Sequence, residues 1–129
     1  MLLAATYLNL SSIDPETATQ EFSHHIVPLI AKPMRPNPYI VFTDGSILNT
    51  DSKEVFESPA EIFPYKADIV AFTCQYFGWQ ETILQAREFI IDMQSDKETE
   101  EFHIEFNDSS WITLAVASNG IAIMTATPR

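Results

Sequence analysis

Glu101-Phe102-His103-Ile104-Glu105 sets one imidazole between two carboxylates at every second position. On a strand that spacing puts all three on one face, because side chains alternate with a period of two. Two carboxylates beside an imidazole favour its protonated form, as in an acid–base group or a charged docking residue. Acid–base catalysis or metal binding needs a third convergent group, and none stands at a diagnostic spacing, so the solvent face of an outer strand is expected. His24 and His25 are neighbours, about 100° apart on a helix, and neither is followed four residues on by a His, Cys or carboxylate. They read as solvated helix residues. Cys74 is the only cysteine and has no basic neighbour close in sequence, so a buried structural thiol is expected.

Thr43-Asp44-Gly45-Ser46 follows the apolar run Tyr39–Phe42. Over these residues the chain is similar to the opening strand of ribonuclease H-like folds. That resemblance would imply a divalent metal at Asp44 and further carboxylates converging on it. A type I′ hairpin turn, with Asp-Gly supplying two positive φ angles, accounts for the same string without chemistry and is the expectation here. The chain has three glycines, two of them in expected hairpin turns, and no G-x-S-x-G or paired-cysteine site. No catalytic residue, metal or cofactor is assigned, and the expectation is a protein that is not an enzyme.

The acidic residues carry the remaining signal. Eighteen Asp and Glu face seven Lys and Arg in 129 residues, a formal net charge of −11. Residues 88–108 hold eight of those acids, Glu88, Asp92, Asp96, Glu98, Glu100, Glu101, Glu105 and Asp108, against Lys97 alone, a local net of −7. Such a balance opposes unaided binding to nucleic acid backbones and to anionic membrane surfaces. It suits a basic protein partner, met through Glu88, Asp92, Asp96, Glu98, Glu100, Glu101 and Glu105. A solvated face that keeps the chain soluble is the competing use of the same charges.

These residues must be positioned by ordinary secondary structure. Apolar residues make up 46% of the chain, enough for a folded core rather than an acidic tail, and the length suits a single domain over residues 1–129. The apolar start, residues 1–10, lacks a basic leader region and reads as a first strand, with the cytoplasm as the expected location. Asp14-Pro15 opens a helix as N-cap and N1, with Ala18, Phe22, Ile26, Leu29 and Ile30 at helical spacing. Residues 32–38 form a proline-rich connector, and Tyr39–Thr43 and Ser46–Thr50 a hairpin. Ser58-Pro59-Ala60-Glu61 has the form of a capping box. Residues 67–77 remain open between strand and helix. Trp79, Ile83, Ala86, Ile90 and Met93 predict a helix over 79–94, with Glu88 and Asp92 four apart on its outer face and the later acids crowding its C-terminus. Residues 101–106 alternate as a strand, 111–117 is apolar and β-rich, and 121–127 follows as a third strand, the last two joined by Ser118-Asn119-Gly120. No internal repeat is apparent.

The resulting class is α+β: a mostly antiparallel sheet with a C-terminal three-stranded meander and two main amphipathic helices packed on one face. In size, charge and lack of catalytic chemistry the chain resembles bacterial immunity proteins. That resemblance implies an antitoxin-type inhibitor that neutralises a basic toxin, such as a nuclease, by direct binding. A structural or adaptor subunit forming a homo-oligomer is the alternative, and a metal-dependent hydrolase a third. The oligomeric state is left open by the sequence.

Overall fold

The computed structural model describes residues 2–30, 37–117 and 120–128, with the side chains of 116–122 outside that description. The chain divides into two compact units, Met1–Ile62 and Phe63–Arg129. In the first, helices α1 (Leu3–Ile13) and α2 (Pro15–Glu21) precede strands β1 (Ile26–Val27), β2 (Tyr39–Phe42), β3 (Ile47–Asn49) and β4 (Val55–Phe56). In the second, α3 (Lys66–Phe77) and α4 (Trp79–Ala86) precede β5 (Ile90–Asp96), β6 (Glu101–Phe106), β7 (Trp111–Ala117) and β8 (Gly120–Ala126). Each set of strands is an antiparallel four-stranded sheet in sequential order. The class is α+β as expected, and the C-terminal meander has four strands rather than three.

The apolar start forms helix α1 over Leu3–Ile13, not the expected strand. Leu3, Ala4, Tyr7 and Leu8 recur at helical spacing and pack against Phe22, Phe42 and Leu48 in the first core. Leu and Ala also favour helix over strand. The Tyr7, Phe22 and Phe42 rings meet at centroid distances of 5.4–6.2 Å, typical of stabilising aromatic clusters. Asp14 is the N-cap of α2, its side chain accepting from the Thr17 amide at 3.3 Å, with Pro15 at the first position. That helix stops at Glu21. Ile26 joins β1, paired with Phe42, and Leu29 and Ile30 are exposed, so the predicted apolar stripe ends early. The expected connector at 32–38 lies mostly outside the described residues.

Residues 66–77 resolve as helix α3. Ala67, Val70 and Cys74 line one face against Ala86, Ile104, Phe106 and Ile112 in the second core. Gly78 ends the helix at φ 83°, its amide bonding the Cys74 carbonyl at 3.0 Å; a left-handed φ of this kind is where glycine is favoured. The helix expected over 79–94 is corrected to α4 followed by a 3₁₀ turn (Arg87–Phe89) and β5. Trp79, Ile83 and Ile90 do pack on the core, but Met93 is more than half exposed. The physical reason is tertiary: six residue pairs from Ile90↔Phe106 to Asp96↔Glu101 tie this stretch to β6, and cross-strand pairing overrides a helical period. Glu88 and Asp92 are therefore not helix neighbours, and the later acids do not crowd a helix end.

Ser58 makes no capping bond; Glu61 instead accepts from the Glu57 amide at 3.3 Å. Of the turn residues expected between the last two strands, Ser118 and Asn119 lie outside the described residues, while β7 and β8 pair in register from Trp111↔Ala126 to Ala117↔Gly120.

Both units follow one plan, two helices and then a four-stranded meander, although the sequence shows no overt repeat. Aligned on the β2–β3 and β6–β7 hairpins, Ile40-Val41-Phe42-Thr43-Asp44-Gly45-Ser46-Ile47-Leu48 and Ile104-Glu105-Phe106-Asn107-Asp108-Ser109-Ser110-Trp111-Ile112 share Ile, Phe, Asp and Ser in place. Identity is confined to a few positions because only those have the same work to do in both units.

Candidate functional site: two hairpin clamps and an acidic sheet face

Neither α1 nor α3 carries a capping side chain of its own, yet the first amides of any helix need acceptors. A hairpin distant in sequence supplies them. Asp44 Oδ2 accepts from the Leu3 amide at 2.9 Å, and the buried Ser46 Oγ accepts from the Ala4 amide at 3.0 Å. In the second unit Asp108 Oδ2 accepts from the Lys66 amide at 2.7 Å and Ser110 Oγ from the Ala67 amide at 3.0 Å. Each serine hydroxyl donates to its own aspartate Oδ1, which also takes the serine amide at 2.9 or 3.0 Å. Burial pushes both carboxyls up. Donation from the helix amide and from the serine outweighs it, and both Asp44 and Asp108 lie below the usual carboxylate range. The helix N-terminus contributes in the same direction.

The turn itself differs from expectation. Gly45 (φ 89°) and Ser109 (φ 67°) are in the left-handed region, but Asp44 and Asp108 are not, so neither turn is type I′. Phe42 and Phe106 each close a three-residue loop by donating to the carbonyl of Ser46 or Ser110, at 2.9 and 2.8 Å, the form of hairpin in which a type I turn is followed by one left-handed residue. The aspartate of the Thr43–Ser46 string is thus committed to a helix amide. Among the described residues no three of His, Cys, Asp and Glu group as a metal ligand set.

The second sheet has a helix-facing side, carrying Ile104, Phe106 and Ile112, and an outer side. The register places Asp92 opposite Glu105 and Asp96 opposite Glu101, with Gln94 opposite His103 between them. The next strand continues each row: Glu105 pairs with Trp111, His103 with Thr113 and Glu101 with Ala115. His103 is held at the centre. Its Nδ1 lies 3.1 Å from Thr113 Oγ1 and its Nε2 3.5 Å from Glu101 Oε2, both side chains about one-third exposed, and its ring centroid is 6.2 Å from that of Trp111. Trp111 (44% exposed) and Met124 (57%) supply apolar surface on this same outer side.

Of the seven acidic positions expected to form a patch, Asp92, Asp96, Glu101 and Glu105 share this face. Glu88 stands on the 3₁₀ turn before β5, and Glu98 and Glu100 on the turn after it, Glu98 donating its amide to Asp96 Oδ1 at 3.0 Å. All three are exposed but off the sheet face. Trp111 is the residue that sequence reasoning missed as part of the site; its cross-strand position opposite Glu105 depends on register, which no local pattern announces.

The remaining candidates have structural places. Burial pushes the Cys74 thiol up to about 12, with the Thr82 hydroxyl acting the other way. A thiol so placed is not a nucleophile near neutral pH. His24 and His25 are exposed as expected, but they stand on the turn between α2 and β1 rather than in a helix, the His25 carbonyl accepting from the Thr43 amide at 2.8 Å. Among the described residues no helix is long and apolar enough to cross a membrane. The chain matches no family model, no curated protein and no solved structure.

Proposed function

We propose that this protein binds a basic protein partner through the outer face of its second sheet, as an inhibitor of the immunity or antitoxin type acting in the cytoplasm. The observation that carries the reading is the pairing of like charges. Asp92 faces Glu105 and Asp96 faces Glu101 across the same two strands, an arrangement that costs stability where opposite charges would add it. A face built only for solubility spreads its acids apart. A cationic partner removes the repulsion on binding, and the exposed Trp111 beside the acids offers an anchor of the type enriched at protein interfaces.

A second observation supports the same face. The equivalents of Glu105 and Trp111 in the first unit are Val41 and Ile47, which are 5% and 0% exposed. At these two positions the first module is apolar and buried, whereas the second carries a half-buried carboxylate and an exposed indole. A toxin nuclease, with a cationic groove for phosphates, is the class of partner that suits four carboxylates and an indole.

The test uses a Lys/Arg-rich peptide first and captured basic proteins afterwards. Association should slow steeply as salt rises, and Asp92→Lys with Glu105→Lys should weaken binding by about tenfold or more. Unchanged affinity in that double variant leaves the face a solvated surface.

A further inference from the structure

Four strands form sheet edges: β1 and β4 in the first unit, β5 and β8 in the second. An edge offers unpaired amides and carbonyls to any other strand, and natural proteins guard it by shortness, charge, proline or a bulge. β1 and β4 are two residues each, too short to template a partner. β5 is long but guarded twice. Its register slips between Ile90 and Asp92, and it carries Asp92 and Asp96 with Glu105 and Glu101 directly behind them. β8 has none of these devices. Gly120–Ala126 runs seven residues without a charge, a proline or a bulge, in unbroken register with β7.

We infer that β8 is the seam of a homodimer, two copies pairing β8 against β8 antiparallel so that their four-stranded meanders join as one eight-stranded sheet. The charge distribution selects a second copy as the occupant. Each chain carries −11, so two copies repel almost everywhere. Residues 109–128, which include all of β7 and β8, contain no charged side chain at all, and here the approach is not penalised. A basic protein has nothing to gain at an uncharged edge and is drawn to the carboxylates of β5 and β6 instead. Antiparallel self-pairing is also its own two-fold operation, so the contact closes at a dimer. Met124, 57% exposed in the single chain, then lies at the join and gains apolar neighbours from the other copy. The two acidic outer faces become one continuous surface. The inference stands apart from the proposed inhibitor role, because it uses the uncharged edge and not the carboxylates.

The experiment is sedimentation equilibrium on the full chain across a wide concentration range, with three variants whose folding is checked by circular dichroism and thermal unfolding. The native chain should dimerise. Met124→Lys and Thr125→Lys, which put a charge on either side of the seam, should each weaken the dimer by about tenfold or more while leaving the fold intact. Gln94→Lys, on the other edge, should leave it unchanged. A native chain that stays monomeric throughout overturns the inference. So does a dimer that survives both β8 variants, or one that only Gln94→Lys disrupts.

Discussion

Asp44 with Ser46, and Asp108 with Ser110, fasten a hairpin to the first turn of a helix with the same hydrogen bonds in both units. One residue further along, the units part. Ile47 is fully buried on the outer side of the first sheet, while Trp111 is 44% exposed on the second; Val41 is buried where Glu105 is half-buried. The strands differ as well, two to four residues in the first sheet and six or seven in the second. Positions that hold each module together are the same in both units, because burial leaves a donor or acceptor no freedom to go unmatched. Positions on the outer side differ, and there the second unit has the charged, half-buried Glu105 and the exposed Trp111 where the first has the buried Val41 and Ile47.

The sharpest break of this comparison exchanges residues across it. Val41→Glu puts a carboxylate at a position that is 5% exposed and should cost about 2–5 kcal/mol, or abolish folding. Glu105→Val should be neutral or stabilising by a few tenths of a kcal/mol, since it relieves the Asp92 repulsion. Urea unfolding of the two variants measures both; equal losses would mean that the outer sides are alike after all.

The clamps should respond in parallel. Ser46→Ala and Ser110→Ala each leave a helix amide without its acceptor, at about 1–3 kcal/mol apiece by the same unfolding measurement. A clear loss at one and none at the other would show that only one clamp holds its helix.

Acid should expose the clamps more gently. Asp44 and Asp108 are held below the usual carboxylate range in the folded chain, so their contribution is complete above the unfolded value, about 3.9. It is lost as pH falls through the lower folded values. Asp44→Asn and Asp108→Asn should each flatten the fall in stability below about pH 4. An unaltered acid limb in both would remove these aspartates from the account.

The α+β class was legible because helical and alternating periods are local. Phe102, Ile104 and Phe106 announced one side of β6, and with it the opposite placement of Glu101, His103 and Glu105. Asp14-Pro15 announced the start of α2 in the same way. Residues 79–94 were not legible as helix then strand, because Trp79, Ile83, Ala86 and Ile90 keep a helical period across a boundary that only pairing with β6 creates. The doubled Phe-x-Asp-x-Ser string, 42–46 and 106–110, was the available sign of a common plan. A few identities in some sixty residues conceal it, since only the clamp and core positions are constrained.

By itself the sequence determined the composition of the acidic stretch, the uncharged tail of strands after it, and the alternation that sorts β6 into two faces. Tertiary structure alone decided that Asp92 stands against Glu105, Asp96 against Glu101 and Trp111 beside them, and that Asp44 and Asp108 serve helix amides 41 and 42 residues away. The physical reason is the same in each case. A residue's type and period are properties of its neighbours along the chain, whereas strand register and long-range hydrogen bonds are set by which surfaces the folded chain brings together.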